Sequence, residues 1–268
     1  LHNGRRRQRQ MCIRDRRVVV TAGGGGIGAE TTRLFSEAGA SVFICDIDEA
    51  SLNETISKND NVQGIKVDVS DPEAFGDFFR QADEFLGGLD IMVNNAGTAG
   101  PTALIEDISL EEWHNCLNIN LTSAFLGTQL AIPRIKESDN LGGSIINLSS
   151  AAGKFGFPLR SPYSAAKWAI VGFTRTTALE VGQYRIRCNC IQPGPVEGDR
   201  IDRVIQAKAE AEGVSENQTR DEMMSGTTLN TFIPKNHISS MILYLCSEAG
   251  STITGQAISV DGGLESVP

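Results

Sequence analysis

The sequence has few of the residues that build metal centres. Its three histidines, His2, His114 and His237, lie far apart, and neither an H-E-x-x-H motif nor a paired-cysteine motif occurs. Structural and catalytic zinc sites usually rely on such clustered ligands. The G-x-S-x-G motif of serine hydrolases is also missing. We therefore expect neither a metal site nor hydrolysis by a serine nucleophile.

Positive charge and long apolar stretches are also scarce. The 268 residues carry 24 basic and 33 acidic side chains, a net charge of −9. A nucleic-acid-binding surface needs a basic face, and a membrane-spanning helix needs roughly 20 apolar residues in a row. The sequence offers neither, so we expect no nucleic-acid partner and no membrane insertion.

Basic residues concentrate at the amino terminus. Residues 1–17 hold seven arginines and one acid, Asp15, which leaves 17 basic and 32 acidic groups in the rest of the chain. The apolar run Val18–Thr21 leads directly into glycines and is too short for a secretory signal. We expect residues 1–17 to be an extension, disordered or artefactual, beside a single catalytic domain at 18–268.

The six cysteines are scattered, and most lie in apolar segments. They are Cys12, Cys45, Cys116, Cys188, Cys190 and Cys246. This distribution favours buried thiols in a reducing compartment over a disulfide framework. With no secretory signal, it predicts a cytoplasmic protein.

Short apolar segments alternate with helical patterns from Val18 onward. We expect strands at Val18–Thr21, Val42–Cys45, Val62–Val67, Leu89–Val93, Ser144–Leu148, Arg187–Ile191 and Ala257–Val260. Helices are expected at Ala29–Ala38, Pro72–Leu86, Leu110–Ile135, Ser164–Val181, Asp199–Glu212 and Ile238–Cys246. The alternation predicts an α/β fold, a Rossmann-type doubly wound parallel sheet of about seven strands with helices on both faces. Residues 195–233 interrupt it and are a candidate substrate-loop insertion.

A glycine-rich turn joins the first predicted strand to the first helix. Glycines let the backbone approach a pyrophosphate, and the helix N-terminus offers free N–H groups. A flexible turn is the alternative, but the position between strand and helix favours dinucleotide binding. The predicted cofactor-binding residues here are Thr21, Gly23, Gly25, Gly26, Ile27 and Gly28.

Acidic residues end the second and third predicted strands. Asp46, followed by Ile47, can accept both hydroxyls of an adenosine ribose and would repel a 2′-phosphate. Because no arginine or lysine directly follows Asp46, the sequence favours NAD over NADP as the cofactor. Asp68, beside Val69, can receive the adenine amino group. A capping or surface aspartate is the alternative at both places.

The fourth predicted strand ends in Asn94-Asn95-Ala96-Gly97. Small residues there allow a cofactor to lie over the strand ends, which makes Asn95, Ala96 and Gly97 candidate contacts. Asparagine side chains can also join neighbouring strands. A simple Asn-Gly-type turn is the alternative.

Tyr163 and Lys167 lie four residues apart in a predicted helix, which places both side chains on one face. An ammonium beside a phenol favours the ionised phenol, so Tyr163 is a candidate general acid/base. Ser150 precedes Tyr163 by thirteen residues, just after a predicted strand, and could orient a substrate carbonyl. Ser149 is the alternative, with capping as the structural role. A Tyr-x-x-x-Lys pair alone is common on solvated helices, so the prediction of a catalytic site depends largely on Ser150.

Together these motifs resemble the classical short-chain dehydrogenase/reductases over roughly Val18 to Gly263. The matching residues are Thr21–Gly28, Asp46, Asp68, Asn94–Gly97, Asn120, Ser150, Tyr163, Lys167, Pro193-Gly194 and Asp261–Gly263. The resemblance implies an NAD(H)-dependent oxidoreductase that interconverts a secondary alcohol and a ketone, and within the family a 3-oxoacyl-reductase-like enzyme. It also implies a homodimer or homotetramer built on the helices at 110–135 and 162–181.

The resemblance assigns roles to four residues. Tyr163 is the general acid/base, and Lys167 binds the nicotinamide ribose and favours the ionised phenol. Ser150 positions the substrate oxygen. Asn120 holds a water that links Lys167 to solvent.

The resemblance further implies that Pro193, Gly194 and Val196 contact the nicotinamide. Gly198 departs from the family, which often has a threonine there for the nicotinamide amide, and Ala22 replaces the usual glycine of the loop. Arg160 is a candidate for binding an anionic part of the substrate, with a surface ion pair as the alternative.

Two other functions fit the same fold, because fold does not determine function. One is a catalytically silent NAD-binding regulator, which the intact set Asn120, Ser150, Tyr163 and Lys167 disfavours. The other is a family epimerase or dehydratase, which stoichiometric NADH release with an alcohol would exclude.

Overall fold

The computed structural model describes residues 13–140 and 142–264. Seven strands form one sheet in the order β3-β2-β1-β4-β5-β6-β7, and every neighbouring pair is parallel. The strands are β1 (Arg17–Thr21), β2 (Ser41–Asp46), β3 (Val62–Lys66), β4 (Ile91–Asn94), β5 (Gly143–Leu148), β6 (Ile186–Pro193) and β7 (Ala257–Val260). The order reverses between β1 and β4, as in doubly wound folds. The predicted Rossmann-type fold is therefore confirmed.

Helices cover both faces of this sheet. They are α1 (Gly26–Glu37), α2 (Glu49–Ser57), α3 (Pro72–Leu86), α4 (Leu110–Leu117), α5 (Ser123–Lys136), α6 (Ser161–Val181), α7 (Asp199–Glu212), α8 (Glu216–Ser225) and α9 (Lys235–Cys246). A π-helical turn, Asn118–Thr122, joins α4 to α5, so the predicted long helix is continuous with one widened turn. The residues 195–233 contain α7 and α8. The sequence predicted α7 but not α8, and it did not predict the earlier helix α2.

The core has one apolar cluster on each face of the sheet. Val20 packs in the cluster that contains Phe35 of α1 and Ile242 of α9. Its neighbour Val19 packs in the other cluster with Phe43 and Phe78, since successive strand residues point to opposite faces. This double burial explains why the strands are apolar throughout rather than alternating.

The folded domain begins before Val18. Ile13 is only 1% exposed and belongs to the core, and Arg17 is the first residue of β1. The guanidinium of Arg17 also forms an ion pair of 3.1 Å with the buried carboxylate of Asp90. The predicted boundary after residue 17 is therefore corrected, because residues 13–17 are part of the domain. The predicted disorder of residues 1–12 lies outside the described residues.

The described cysteines are buried free thiols, as the sequence predicted. They are Cys45, Cys116, Cys188, Cys190 and Cys246, whereas Cys12 lies outside the described residues. Among the helices of the described ranges, none is long and apolar enough to cross a membrane.

Candidate active site

A cleft opens where the carboxyl ends of the central strands meet the loops that follow them. Its volume is about 480 Å³, and an adjoining chamber of about 640 Å³ shares several lining residues with it. The shared residues include Ala22, Asp46, Gly97 and Arg160. Open α/β sheets bind ligands at this edge, beside the point where the strand order reverses.

The glycine loop forms one wall of this cleft. A Cβ atom on Gly28 would lie 1.9 Å from the carbonyl oxygen of Ala22, so only glycine allows α1 to begin this close to β1. A Cβ on Gly25 or Gly26 would meet no atom within 4 Å, so the loop's outer side is open. The N-terminus of α1 has no side-chain cap and no acid in its first turn. Its free amides can therefore bind a negatively charged diphosphate.

Asparagines fix this loop against the neighbouring strands. The Nδ2 atom of Asn95 donates to the carbonyl oxygens of Thr21 and Ala22, at 3.1 and 3.0 Å. The Nδ2 atom of Asn94 donates to Asn147 Oδ1 at 2.8 Å and ties β4 to β5. Ala22 itself adopts a left-handed φ of 48°. The asparagine pair thus has the strand-joining role that the sequence suggested.

Asp46 faces the glycine loop from the end of β2. Its Oδ2 accepts from the amide of Gly24 at 3.0 Å, and its Oδ1 accepts from the amide of Asp48 at 3.0 Å. These bonds hold the carboxylate at the cleft surface, where it lines both chambers. Ile47 beside it is 64% exposed and lines the larger chamber.

The other predicted adenosine contact also lies in the larger chamber, which is lined by Asp68, Val69, Ala96 and Gly97. The carboxylate of Asp68 accepts from the amide and hydroxyl of Ser70, at 2.9 and 2.6 Å. Asp68 therefore combines the turn role and the cleft position, which the sequence had left as alternatives.

Lys167 is buried at the inner end of the cleft. Its Nζ donates to the carbonyl oxygen of Leu148 at 2.8 Å. A Cβ atom on Gly97 would lie 3.4 Å from this Nζ and 2.7 Å from Asn120 Oδ1, so the lysine and the asparagine flank the same glycine. Burial, aided by the positive charge of Arg200, lowers the pKa of Lys167 to about 7.

Asn120 lies in the π-helical turn, which aims its side chain inward. Its Nδ2 donates to the carbonyl oxygens of Cys116 and Thr98, at 2.9 and 3.1 Å. Its buried Oδ1 accepts no hydrogen bond from the described residues. That oxygen is a free acceptor close to Lys167, as a water-mediated relay requires.

Tyr163 and Ser150 line the cleft beside Lys167. The Lys167 ammonium lies 5.5 Å from the centre of the Tyr163 ring. Ser150 Oγ accepts from the amide of Ala152 at 3.2 Å, which leaves its hydroxyl hydrogen for another acceptor. The hydroxyl of Ser149 donates to the carbonyl oxygen of Lys167 at 2.7 Å. Ser149 therefore has a structural partner, and Ser150 is the better candidate for substrate contact.

The loop after β6 closes the cleft. Pro193, Gly194 and Val196 line it, and Val196 pairs with Ile233 in an isolated parallel bridge. Gly198 caps α7 with a φ of 122°, a conformation that strains any other residue. A threonine at this position would therefore require a different loop.

Arg200 of α7 is a cleft residue that the sequence did not predict. Its Nη1 donates to the carbonyl oxygen of Gly97 at 3.3 Å, and its guanidinium lies 5.9 Å from the centre of the Tyr163 ring. The only sequence signal was that 195–233 was a candidate substrate loop.

No group of three or more metal-ligating side chains occurs within the described ranges.

Replacing Lys167 by methionine is expected to stabilise the folded protein at low pH. The folded-state pKa of about 7 lies below the ordinary 10.5, so the unfolded chain binds more protons between these values. Burying the lysine therefore costs most below about pH 7, and this cost disappears as the pH rises towards 10.5. The variant should melt at least about 5 °C higher than wild type near pH 6.

This difference should shrink as the pH rises in a series of thermal melts of the cofactor-free protein. Lys66→Met, at an exposed position, is the matched control and should show no such trend. A constant difference at every pH, or a destabilised variant at low pH, would contradict the argument.

Known proteins are similar to this chain over most of its length. A family model described as Enoyl-(Acyl carrier protein) reductase matches residues 21–265. The chain is 34% identical over 254 residues to D-beta-hydroxybutyrate dehydrogenase of Rhizobium meliloti (strain 1021), which covers 91% of this chain and 96% of that protein. It is 31% identical over 251 residues to a 3-oxoacyl-acyl-carrier-protein reductase of Thermotoga maritima, with 92% and 96% covered. The structure of an actinorhodin polyketide ketoreductase with NADPH has a TM-score of 0.87 and 28% identity, over 92% of this chain and 96% of that one.

Proposed function

The chain belongs to the short-chain dehydrogenase/reductase family, and we propose that it is an NAD(H)-dependent enzyme that interconverts a secondary alcohol and a ketone. The observation that carries this proposal is a single cleft with two chemically different ends. One end has Asp46 and the uncapped N-terminus of α1, which suit an adenosine diphosphate. The other has Tyr163, Lys167 and Ser150, which suit proton transfer at a carbinol oxygen.

The residues of the cleft fit a nicotinamide dinucleotide. The open side of Gly25 and Gly26 and the free amides of α1 would hold its diphosphate. Asp46 would accept the adenosine ribose hydroxyls, and Pro193 and Gly194 would border the nicotinamide. When bound, this group supplies or accepts the hydride of the reaction.

Tyr163 is proposed as the general acid/base. In alcohol oxidation its ionised oxygen takes the proton of the substrate hydroxyl, and in ketone reduction its hydroxyl returns that proton to the substrate oxygen. Ser150 donates its hydroxyl hydrogen to the same substrate oxygen and orients it. Lys167 would hold the nicotinamide ribose, and Asn120 Oδ1, a buried acceptor with no partner among the described residues, would hold a water through which a proton reaches solvent.

NAD is the proposed cofactor because of Asp46. The similar structure of an actinorhodin polyketide ketoreductase contains NADPH, so the family fold alone leaves the choice open. A fixed carboxylate at the end of β2 accepts ribose hydroxyls and repels a 2′-phosphate. An NAD-linked enzyme is suited to alcohol oxidation, whereas the similarity to 3-oxoacyl reductases supports ketone reduction as the second candidate.

A panel of secondary alcohols and ketones, assayed with NAD(H) and NADP(H), tests this function. We expect stoichiometric formation of NADH with at least one alcohol, read from the NADH absorbance, and ketone reduction in the reverse direction. Reversible change of substrate without net NADH would instead indicate an epimerase or dehydratase. Cofactor binding without turnover of any panel member would favour a silent regulator.

We also propose a homo-oligomer, a dimer or tetramer, built on α5 and α6. Phe125 of α5 and Trp168 and Leu179 of α6 are 44%, 50% and 86% exposed, and the two helices touch through Phe125 and Phe173. Exposed apolar side chains grouped in this way are typical of an interaction surface. Light scattering of the purified protein should give at least twice the mass of one chain. A monomer at micromolar concentration would contradict this proposal.

A further inference from the structure

A buried arginine lies beside the proposed catalytic residues. Arg160 caps α6, three residues before Tyr163, and lines both chambers of the cleft. It is 4% exposed, yet within the described part of the chain its guanidinium makes one hydrogen bond, from Nη1 to the carbonyl oxygen of Ala99 at 2.9 Å. A guanidinium has five N–H donors. Most of the donors of Arg160 are therefore unused at the wall of a ligand-sized cleft.

No carboxylate among residues 13–140 and 142–264 forms an ion pair with this cation, and the acidic groups whose charge acts on it are the phenol of Tyr163 and the thiol of Cys116. Other arginines in the same protein do have partners: Arg17 pairs with Asp90 and Arg134 with Asp83. A buried charge is costly unless it is paired, and burial lowers the pKa of Arg160 accordingly. Stability alone gives no reason for an arginine at this position.

A second cation faces the same space. The guanidinium of Arg200 lies 5.9 Å from the centre of the Tyr163 ring and is close enough for its charge to act on Arg160. The acids that line this end, Glu197 and Asp199, are exposed and pair with neither arginine. Asp46 and Asp48 line the adenosine end instead. The cleft is thus acidic where the ribose binds and basic where the substrate binds.

We infer that Arg160, assisted by Arg200, binds an oxyanion on the substrate, so that the physiological substrate is a short hydroxy or oxo compound with a carboxylate or sulfonate group. This inference rests on the proposed function and names its substrate class. Arg160 precedes Tyr163 by three residues, a rise of about 4.5 Å along the helix, and the charges of the two side chains are close enough to interact, so the anionic group is only a few bonds from the carbinol carbon. A planar guanidinium binds such a group through two parallel hydrogen bonds.

The test compares two anionic probes with a neutral probe of similar size. The reactive set is 3-hydroxybutyrate, its methyl ester and 2-hydroxypropanesulfonate, and kcat/KM is measured for each. We expect wild type to prefer at least one of the anions to the ester by about 100-fold. Arg160→Met should remove about 100-fold from the preferred anion and less than about threefold from the ester. Arg160→Lys should restore part of the loss, because it restores a positive charge.

Arg200→Met and Arg80→Met complete the design. Arg200 is exposed, so its replacement leaves the fold intact. Because Arg200 also contacts Gly97 and lies near the Tyr163 ring, its loss lowers turnover of both probes, but kcat/KM should fall about tenfold more for the preferred anion than for the ester. This variant therefore tests the inference even if Arg160→Met fails to fold. Arg80, on α3, pairs with Asp77 outside the cleft. Its replacement should leave kcat/KM unchanged for both probes.

A binding measurement separates this inference from the proposed function. Butyrate, propanesulfonate and the neutral butyramide are titrated into the cofactor-loaded protein and followed by calorimetry. At least one anion should bind at least about tenfold more tightly than the amide, and Arg160→Met should abolish the difference. Equal binding of anions and amide, or equal loss of ester and anion turnover in Arg160→Met, would overturn the inference. Absence of turnover with a retained anion preference would instead count against the proposed oxidoreductase.

Discussion

Replacing Tyr163 by phenylalanine is expected to lower kcat/KM by about 10³-fold, because general acid/base groups typically contribute 10²–10⁴-fold. The substitution removes only the hydroxyl and keeps the ring that lies near Lys167 and Arg200. Cofactor affinity, measured by the fluorescence of bound NADH, should change by less than about threefold. Initial rates with the best alcohol of the panel then isolate the loss of proton transfer.

Tyr184→Phe is the matched control for this prediction. Tyr184 is 45% exposed, packs against Lys136 and does not line the cleft. Its hydroxyl should therefore not affect turnover. Unchanged turnover in Tyr163→Phe would remove Tyr163 from the mechanism. A wild-type protein that binds NADH but is as inactive as the variant would be a silent regulator.

The second large effect is expected at Asp46, whose charge should determine the choice of cofactor. Wild type should prefer NAD to NADP by about 100-fold in kcat/KM, since a 2′-phosphate about 4 Å from a carboxylate is repelled by several kcal/mol at intermediate dielectric. Asp46→Asn keeps the shape and one carbonyl acceptor but removes the charge. We expect the variant to prefer NAD to NADP by less than about tenfold in kcat/KM, mainly because it binds NADP better than wild type does.

Asp71→Asn serves as the control for this substitution. Asp71 caps α3 through the amides of Glu73 and Ala74 and does not line either chamber of the cleft. Its replacement should leave the cofactor ratio unchanged. If wild type uses NADP as well as NAD, or if Asp46→Asn does not alter the ratio, Asp46 does not select the cofactor.

Strong local patterns allowed much of the fold to be predicted. Helix α3 begins and ends where predicted, since Asp71 and Pro72 start it, Gly87 ends it with a φ of 67°, and its phenylalanines recur at helical spacing. Helix α8 was not predicted because it buries only Thr219 and Met223, which give little apolar periodicity. Helix α2 is similar, with only Leu52 and Thr55 buried.

Only some residues of the candidate site could be predicted from the sequence. Residues at strand ends, such as Asp46 and Asn95, could be brought together in advance because parallel strands end at one edge of the sheet. The choice between Ser149 and Ser150 requires side-chain directions, and the hydrogen bond from the Ser149 hydroxyl to the carbonyl oxygen of Lys167 favours Ser150 as the substrate contact. Arg200 depended on how the insertion folds back over the cleft, and the burial of Arg160 without an acid depended on the packing around it.

Transfer of deuterium from a secondary alcohol labelled at its carbinol carbon to NAD tests the central claim most directly. The wild-type protein should produce NADH that carries the deuterium, detected by mass spectrometry, in an amount equal to the ketone formed. Tyr163→Phe should produce neither product at a comparable rate. Ketone formed without labelled NADH, or labelled NADH formed equally fast by Tyr163→Phe, would contradict hydride transfer coupled to a proton at Tyr163.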